Sequence, residues 1–534
     1  MMEQDYGDNM NFDFLDIEPD SVTIELDNAD CYRPAEPVTV KVGDKEATQY
    51  DTNVITIDDL AEGTKYSICV NGIQKDFCTL KQTVLLNVRQ FGALGDGLHN
   101  DTSAVQCAIN ACPKDGTVLL PKGTYLCGPL FLKDDLRIKI DSGAILKGDP
   151  DRGHYPVLPG MTLGCDEEYE YNLGTWEGNP LSCFASLITG INVKNVCIYG
   201  KGCIDGNAAE GDWWQDAKVK RTAWRPRLLY FCRCENVTVN GIKVCNSPSW
   251  TVHPYYCDNI NLIGMTIRNP DNSPNTDGID PESCQNVNII GTDISVGDDC
   301  IAIKSGKYYM ARNHHKRTEN ISVRNCILNH GHGSVTIGSE CAGGVRNVNV
   351  KRCIFNETDR GLRIKSRRGR GSLSVLEDIV FENIIMESVR MPFTVNMFYF
   401  CDPDGHSDYA QSKEALEVDE MTPRISSIYA RNIVCRNADV CIFAAYGLPE
   451  SKIGYVSLEN IDAAFKPKAL QKSDVPLMMD GLDPMKGKAI FARNVSKLKL
   501  NNITICGSMD SKPDILEVDD IEEYNLDFSQ AVSK

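Results

Sequence analysis

The stretch Asn-Ile-Asn-Leu-Ile-Gly-Met-Thr-Ile at residues 259–267 decides the fold, because close variants of it recur along the chain. The next copy, NVNIIGTDI, occupies residues 286–294, and each copy is a short alternating strand, a turn and a second strand. Self-similar β-rich units at this spacing indicate an all-β chain built as a parallel β-helix. A β-propeller needs about four strands per roughly 40-residue blade and fits less well. Further copies begin at Asn195, Asn236, Asn320, Asn347 and Asp378.

The Asn or Asp that opens each copy suits a turn position with left-handed backbone. Stacked coils would align these side chains into ladders. A solenoid also needs a cover for its hydrophobic end. Residues 84–112 predict one, since a strand and a glycine-rich turn lead into a helix that begins near Asp101 and Thr102. That turn lacks both the G-x-G-x-x-G pattern and the lysine of a phosphate loop.

The chain divides into three predicted parts. Residues 1–17 resemble a disordered acidic tail. Residues 18–82 read as short strands, and LAEGTKY at residues 60–66 is similar to the tyrosine corner of a small fibronectin type III-like β-sandwich. Such modules act as spacers or packing surfaces. Residues 84–534 form the predicted β-helix.

Composition limits the partners and the compartment. The 534 residues carry a net charge of −19, so nucleic acid and acidic membranes are poor partners. The acidic N-terminus has no apolar signal segment, and no apolar run approaches a membrane span. The 23 cysteines lie largely in strand-like runs without zinc spacing, which indicates buried thiols. We therefore expect a cytoplasmic protein with no metal and no cofactor.

Four polar motifs follow four consecutive repeats at comparable positions. Equivalent positions on successive coils lie about 4.8 Å apart, so these motifs would share one column. Taken alone, Asp-Gly and Gly-Asp are turn chemistry, and the aspartates would be turn residues. A column that joins acids, a histidine and a basic pair favours a functional site. The motifs are Asn275-Thr276-Asp277, Gly297-Asp298-Asp299, Gly331-His332-Gly333 and Arg363-Ile364-Lys365.

Carboxylates in this number suit the cleavage of a glycosidic bond. One carboxyl group protonates the leaving oxygen, and another activates water or attacks carbon. A third acid raises its neighbour's pKa by charge repulsion and helps to keep one proton in place.

The four motifs, in this order, resemble those of the polygalacturonases, glycoside hydrolase family 28. The similarity covers roughly residues 84–510 and includes FGALGDG at residues 91–97, GKGCIDGN at residues 200–207 and SPSWTVHP at residues 247–254. The resemblance implies a right-handed parallel β-helix that hydrolyses galacturonan with inversion. Its substrate partner would be an acidic oligosaccharide or polysaccharide, and its oligomeric state stays open.

The resemblance also implies roles for the motif residues. Asp298 would be the general acid, and Asp277 with Asp299 would hold and activate the water. Inversion predicts carboxyl groups roughly 6.5–9.5 Å apart, which two coil rises would supply. The two neighbouring carboxylates would raise the pKa of Asp298, and His332 would donate a hydrogen bond that orients it.

The basic residues are expected to bind the substrate carboxylate. Arg363 and Lys365 flank Ile364 on a strand and so point to one face. Asn275 belongs to the same expected substrate site, and arginine suits bidentate pairing with carboxylates. The run continues through Arg368 and Arg370, which makes five basic residues within eight positions. A nuclear-localisation or nucleic-acid role is the alternative for this run.

Long loops favour exo action. The loops 146–190, 207–227, 305–319 and 401–423, with the N-terminal sandwich, would wall off the open groove that an endo enzyme needs. The arginine-rich stretch RIKSRRGRG resembles bacterial exo-polygalacturonases with such a module. Stacking on a sugar by Trp213, Trp214 or Trp224 and loop packing are equal alternatives, and Tyr399 is expected near the site.

Four rival functions remain open. A pectate lyase on the same fold would need calcium and an arginine base, and has no use for an adjacent Asp298-Asp299 pair with His332. A rhamnogalacturonan-type hydrolase or an endo enzyme would use the same motifs. A non-catalytic carbohydrate-binding β-helix would not require the complete set.

Overall fold

The computed structural model describes residues 11–164 and 168–528, and a small β-sandwich opens it. One sheet has the order β1-β2-β5 and the other β4-β3-β6-β7, and all their pairings are antiparallel. Alternating apolar residues such as Ile24, Val40 and Ile68 point between the sheets and form one core. The strands are β1 (Asn11–Ile17), β2 (Val22–Asp27), β3 (Val38–Val42), β4 (Thr48–Tyr50), β5 (Val54–Ile57), β6 (Lys65–Val70) and β7 (Ile73–Cys78).

The predicted acidic tail is too long, because residues 11–17 form β1. Phe12 of this strand is fully buried in the sandwich core, and Phe14 packs against it. Alternation of these phenylalanines with acidic residues is a strand pattern, and their burial outweighs the local charge. Residues 1–10 of the predicted tail lie outside the described residues.

Tyr66 makes the contact expected of a tyrosine corner. Its hydroxyl accepts a hydrogen bond from the backbone N–H of Ala61 at 2.8 Å. The assignment of the module as fibronectin type III-like stays a prediction.

The described residues from β8 onward form a right-handed parallel β-helix, as the repeats predict. The first half of this region contains β8 (Leu85–Asn87), β9 (Asp96–Asn100), β10 (Thr117–Leu120), β11 (Gly123–Cys127), β12 (Leu130–Phe131), β13 (Leu136–Ile140), β14 (Ala144–Gly148), β15 (Val157–Leu158), β16 (Met161–Leu163), β17 (Glu170–Asn172), β18 (Cys183–Phe184), β19 (Ile188–Ile191), β20 (Lys194–Gly200), β21 (Cys203–Asp205), β22 (Leu229–Cys232), β23 (Glu235–Asn240), β24 (Lys243–Cys245), β25 (Val252–Tyr255), β26 (Asp258–Ile263) and β27 (Thr266–Arg268). Of these strands, β15 pairs with β18 and β16 with β17 in two small antiparallel sheets outside the parallel ladders. The second half of this region contains β28 (Gln285–Ile290), β29 (Asp293–Ser295), β30 (Asp299–Ile303), β31 (Thr318–Arg324), β32 (Ile327–Asn329), β33 (Gly333–Ile337), β34 (Val345–Asn356), β35 (Arg360–Lys365), β36 (Val375–Glu387), β37 (Met391–Asn396), β38 (Arg424–Ile425), β39 (Ser427–Ala438), β40 (Cys441–Tyr446), β41 (Ile453–Phe465), β42 (Lys488–Cys506) and β43 (Asp514–Asp527).

The helices are few and short. They are α1 (Thr102–Ala111), α2 (Tyr308–Asn313) and α3 (Asp408–Gln411), with 3-10 turns at Val88–Phe91 and Arg152–His154. The buried residues Val105, Ala108 and Ile109 of α1 join the main core, so this helix covers the N-terminal end of the solenoid as predicted. Among the described residues, no helix has the length and apolarity needed to cross a membrane.

The coils stack through the pattern that the repeats predict. In the first ladder of parallel strands, Val237, Ile260, Val287 and Ile321 pair in register and are buried. The Asn before each has left-handed backbone, with φ from 55° to 59° over four coils. Their side chains bond from coil to coil, as in the hydrogen bond from Asn259 to Asn236 at 2.7 Å. The predicted asparagine ladder is confirmed.

A second ladder runs from β21 through β24, β27 and β29 to β32, and a third ladder carries the polar motifs. It runs from β25 through residues 279–282 to β30, β33, β35, β37 and β40. Inward-facing residues of these strands, such as Ile301, Val335 and Leu362, belong to the main core. The outward faces of the same strands therefore present the polar residues side by side.

The sandwich docks on the flank of the β-helix through a charged cluster. Glu25 of β2 accepts hydrogen bonds from Arg324 Nε and Asn325 Nδ2 at 2.9 and 2.7 Å, and from Arg352 Nη2 at 2.8 Å. Asn53 also bonds Asn325, at 3.1 Å. These contacts agree with the predicted role of the module as a packing surface.

Candidate active site

The three aspartates of the motifs meet on the third ladder. Ile279 bridges Ile301, which places Asp277 and Asp299 on adjacent coils. Asp277, Asp298 and Asp299 each contribute one carboxylate oxygen to a group in which all three oxygens lie within 4.8 Å of one another. The expectation of two coil rises is wrong, because residues in register on neighbouring coils are one rise apart and Asp298 directly precedes Asp299.

This spacing suits a shared water molecule. Two hydrogen bonds of about 2.8 Å that meet at a roughly tetrahedral angle span about 4.6 Å. A water molecule between two of these carboxyl groups can therefore contact both. The same three oxygens would also suit a metal ion, but basic side chains of the protein already contact Asp277 and Asp299.

Of the three aspartates, Asp299 is the one that two basic side chains contact directly. Arg363 Nη1 lies 3.0 Å from its Oδ1, and Lys365 Nζ lies 2.9 Å from its Oδ2. Burial alone would raise the pKa of Asp299, but Lys365 and Arg363 outweigh it and hold that pKa well below its usual range. These two cations therefore favour the ionised form of the Asp299 carboxylate.

Asp277 has the opposite electrostatic character. Burial, followed by the negative charges of Asp280 and Asp298, raises its pKa well above the usual value. Its nearest cation is Lys304, with Nζ 3.7 Å from Oδ2. The rise in pKa that we expected from crowded carboxylates therefore occurs at Asp277. Asp277 binds a proton more tightly than Asp299 does.

Asp298 is the aspartate that reaches into solvent. Its side chain is 24% exposed, against 5% for Asp277 and 2% for Asp299. Nδ1 of His332 lies 3.3 Å from Oδ1 of Asp298, and this contact raises the pKa of His332. The predicted contact between His332 and Asp298 is present.

Gly333 allows the close approach of these coils. A Cβ atom on Gly333 would stand 2.7 Å from Oδ1 of Asp299 and 2.4 Å from Oγ1 of Thr336. Any larger residue would push Asp299 away from its cations, so the glycine beside His332 has a steric role.

Asn275, Arg363 and Lys365 lie where the motifs place them, on the wall of one groove. Oδ1 of Asn275 accepts a hydrogen bond from Arg225 Nη2 at 2.6 Å. Arg363 and Lys365 both face outward, as predicted, but both are bonded to Asp299.

Arg368 and Arg370 do not reach the groove, so their predicted role in substrate binding is wrong. Arg368 is 1% exposed and forms a bidentate pair with Glu450 at 2.6 and 2.9 Å. Arg370 is buried and bonds Asp402 at 2.6 Å. Because local carboxylates neutralise both, this end of the basic run fastens loops instead of attracting a polyacid.

The tryptophans named from the sequence pack within the loops. Trp213 is fully buried beside Tyr155, and Trp224 stacks on Trp176 at 4.8 Å between ring centroids. Trp214 donates from Nε1 to the carbonyl of Ser247 at 3.0 Å. Trp250 lines the groove instead, and Tyr399 lies there as expected.

The groove above the aspartates has a volume of about 530 Å³. It is lined by Glu177, Lys218, Trp250, Asn275, Asp277, Asp298, Asp299, Lys304, His332, Ser339, Glu340, Asp359, Arg360, Arg363, Lys365, Tyr399, Cys401, Asp402, Asp474, Val475 and Met478.

Lys304 is an important residue that the motifs miss. Its buried Nζ lies 3.5 Å from Oδ1 of Asp280 and 3.3 Å from Oε2 of Glu340, besides its contact with Asp277. It also lies 4.3 Å from the ring centroid of Trp250. Burial would lower the pKa of Lys304, but the three carboxylates raise it, so the ammonium stays charged. Alternation with the core residues Ile301 and Ile303 is the sequence signal that puts Lys304 on the outward face.

Comparison with known proteins gives a consistent result. The family model described as glycosyl hydrolases family 28 matches residues 146–442. A probable polygalacturonase of Vitis vinifera is 29% identical over 77% of this chain and 82% of its own length. An endo-polygalacturonase of Pectobacterium parmentieri is 33% identical over 56% of this chain and 72% of its own. The family 28 exopolygalacturonase of Yersinia enterocolitica shares the fold, with a TM-score of 0.71 at 18% identity over 97% of this chain and 98% of its own.

Proposed function

Because this chain belongs to glycosyl hydrolases family 28, we propose that it hydrolyses the α-1,4 bonds of polygalacturonate and oligogalacturonides, with inversion and from a chain end. The observation that carries the proposal is the cluster of three aspartates with unlike surroundings at the floor of one groove. Galacturonans are the proposed substrate class because the relatives that this chain matches are named polygalacturonases.

Asp298 is the general acid of this proposal. It is the exposed member of the cluster, so it can reach the oxygen of the bond to be cut. Asp298 gives its proton to that oxygen, and the bond from the oxygen to the anomeric carbon breaks. His332 orients the carboxyl group through the contact at 3.3 Å.

Asp299 and Asp277 handle the water. The ionised carboxylate of Asp299 accepts the water's proton as the water oxygen attacks the anomeric carbon. Asp277, whose pKa is raised by burial, holds the same water by a second hydrogen bond. The separation within 4.8 Å is shorter than is usual for inverting enzymes, and the shared water explains how inversion proceeds at this distance.

The loops around the groove favour exo action. Residues 474–480, here termed the wall segment, contact β35 and β37, for example through a hydrogen bond from Asn396 Nδ2 to the Met478 carbonyl at 3.0 Å. Gln411 accepts from the backbone N–H of Asp480 at 2.9 Å, which ties the wall segment to α3. A groove bordered by such a fixed segment would admit a chain end more readily than the middle of a polymer.

Endo action is the second candidate, because the relative from Pectobacterium parmentieri is named an endo-polygalacturonase. The test is a time course of products from polygalacturonate, separated by chromatography. Early mono- or digalacturonate alone supports exo action, whereas a ladder of oligomers overturns it. An unsaturated product would support a lyase, and a requirement for rhamnose in the substrate would support the decorated-pectin alternative.

We also propose that the enzyme works in the cytoplasm on oligogalacturonides. The cysteines within the described residues are free thiols, which suits a reducing compartment. Cell fractionation with an antibody tests this, and recovery of the protein outside the cytoplasm would contradict it.

A further inference from the structure

Arg360 is a groove residue that none of the motifs includes. It begins β35, and the pairing of Val335 with Leu362 sets it beside Gly333. Gly333 in turn pairs with Asp299. Two coil rises therefore separate the backbones of Arg360 and Asp299, a distance of about 10 Å along the groove.

One nitrogen of Arg360 is engaged by the protein. Nε donates to the carbonyl of Pro476 in the wall segment at 3.3 Å. Within residues 11–164 and 168–528, neither Nη atom has a hydrogen bond or an ion pair. The side chain is partly buried and lines the groove. The two Nη atoms of the guanidinium are therefore available to donate hydrogen bonds to a ligand in the groove.

The neighbouring cations are already occupied. Arg363 and Lys365, the residues expected to bind substrate, are both bonded to Asp299. Met478 Sδ contacts the remaining nitrogen of Arg363, Nη2, at 2.8 Å. Of these three basic residues of β35, Arg360 is the one that forms no direct ion pair within the described residues, although Asp359 and Asp299 act on it from a longer distance.

The unfavourable electrostatics of the free Arg360 side chain indicate a ligand. Burial and the positive charge of Arg363 lower the pKa of Arg360 to about 10. A partly buried cation beside another cation is unfavourable until an anion joins it. A carboxylate matches the planar fork of a guanidinium and can accept two parallel hydrogen bonds.

We propose that Arg360 binds the carboxylate of a galacturonate unit next to the one being cleaved, and that it selects free acid over methyl ester at that position. The inference rests on the proposed function, because it takes a galacturonate chain as the ligand. Arg360 lies two coil rises from Asp299, so it is placed to contact the sugar unit beside the one at the aspartates. Methyl esterification would remove the charge and obstruct the bidentate contact.

The competing explanation is that Arg360 only fastens the wall segment through Pro476. Two variants separate these roles. Arg360→Gln removes the charge and the fork, whereas Arg360→Lys keeps the charge without the fork. Arg346→Gln is the matched control, because Arg346 is an exposed arginine paired with Glu319 on another strand face.

The experiment measures binding and turnover of trigalacturonate by the full chain. Arg360→Gln is expected to raise Kd and KM by about 10- to 100-fold, while kcat changes by less than about 3-fold. Arg360→Lys should recover part of this loss, and Arg346→Gln should match the wild type. The wild type should also bind trigalacturonate more tightly than its methyl ester, and Arg360→Gln should reduce this preference.

Two results would overturn the inference. In the first, Arg360→Gln leaves Kd and KM for trigalacturonate unchanged. In the second, Arg360→Gln weakens the binding of acid and methyl ester equally, as a loosened wall segment would. Failure of the proposed function gives a different result, since the wild-type chain would then neither bind nor cleave trigalacturonate.

Discussion

Lys365 Nζ lies 2.9 Å from Oδ2 of Asp299, and both side chains are almost completely buried. This pair joins a residue expected to bind substrate with a residue expected to activate water. With Arg363 on the other oxygen, it keeps Asp299 ionised and ready to accept a proton. The motif cations therefore both contact Asp299, and under the proposed function a further cation, Arg360, would bind the substrate.

Lys365→Met should move the acidic limb of kcat/KM to higher pH. Asp299 has a lowered folded pKa, so its stabilising effect is present above the unfolded value near 4 and is lost as pH falls through the folded pKa. Losing Lys365 raises that folded pKa, and the loss of the base then begins at higher pH. Breaking the buried pair should also cost about 3–5 kcal/mol in the free energy of unfolding.

The checks are a pH–rate profile and urea denaturation. Lys194→Met is the control, because Lys194 pairs with Glu235 on the exposed surface. We expect that control to unfold at nearly the same urea concentration as the wild type, because surface substitutions usually have small effects. An unshifted acidic limb in Lys365→Met would refute the role assigned to the pair.

Asp298→Asn should reduce cleavage of trigalacturonate by about 10²- to 10⁴-fold, the range attributed to a positioned general acid. An aryl galacturonide whose leaving group needs no proton should lose far less rate in the same variant. Kinetics on the two substrates check this. Equal losses on both would show that Asp298 is not the acid.

Asp299→Asn should fail on both substrates, because the water then lacks its base. Added azide, which needs no base, should restore turnover of the aryl substrate in Asp299→Asn and not in Asp298→Asn. The reverse pattern of rescue would exchange the roles of these two residues.

Asp280→Asn should flatten the dependence of stability on pH. Burial raises the pKa of Asp280 to about 7 from an ordinary value near 4. A raised carboxyl pKa means that the folded state binds the proton more tightly, so the free energy of unfolding falls as pH rises from about 4 to about 7. A neutral amide removes that decline, an effect of about 3 kcal/mol.

Denaturation at pH 5 and pH 8 measures the effect. Asp51→Asn serves as the control, since Asp51 is an exposed residue in the sandwich. Identical declines in the wild type and Asp280→Asn would contradict the assignment.

Glu25→Ala should loosen the sandwich from the β-helix. It leaves Arg324 and Arg352 without their shared carboxylate, and breaking such a buried pair costs about 3–5 kcal/mol. Limited proteolysis should then cleave the connection at residues 79–84 faster, while kcat on trigalacturonate stays unchanged. Glu46→Gln on the exposed side of the sandwich is the control. Unaltered proteolysis of Glu25→Ala would show that the cluster does not hold the module.

The regular parts of the molecule were predictable because they repeat. An Asn before each buried Val or Ile indicates the turn, the ladder and the inward face at once, so the β-helix follows from a few copies. Asp277, Asp298 and Asp299 were found for the same reason, since they occupy equivalent places on adjacent coils.

What repeats do not indicate is which charges pair. Lys304 at the end of a strand has the pattern of a solvated residue, yet it is buried among three carboxylates. Met478 contacts Arg363 across 115 residues of sequence, and no local pattern connects them. Arg368 and Arg370 resembled a basic patch because their partners, Glu450 and Asp402, come from distant loops.

The most direct test of the mechanism is proton NMR of trigalacturonate during its cleavage by the wild-type enzyme. Water that attacks opposite the departing α bond should produce the new reducing end first as the β anomer, with no unsaturated sugar. Asp298→Asn should produce no new reducing end on the same timescale. Early appearance of the α anomer would contradict inversion through a shared water, and an unsaturated product would contradict hydrolysis itself.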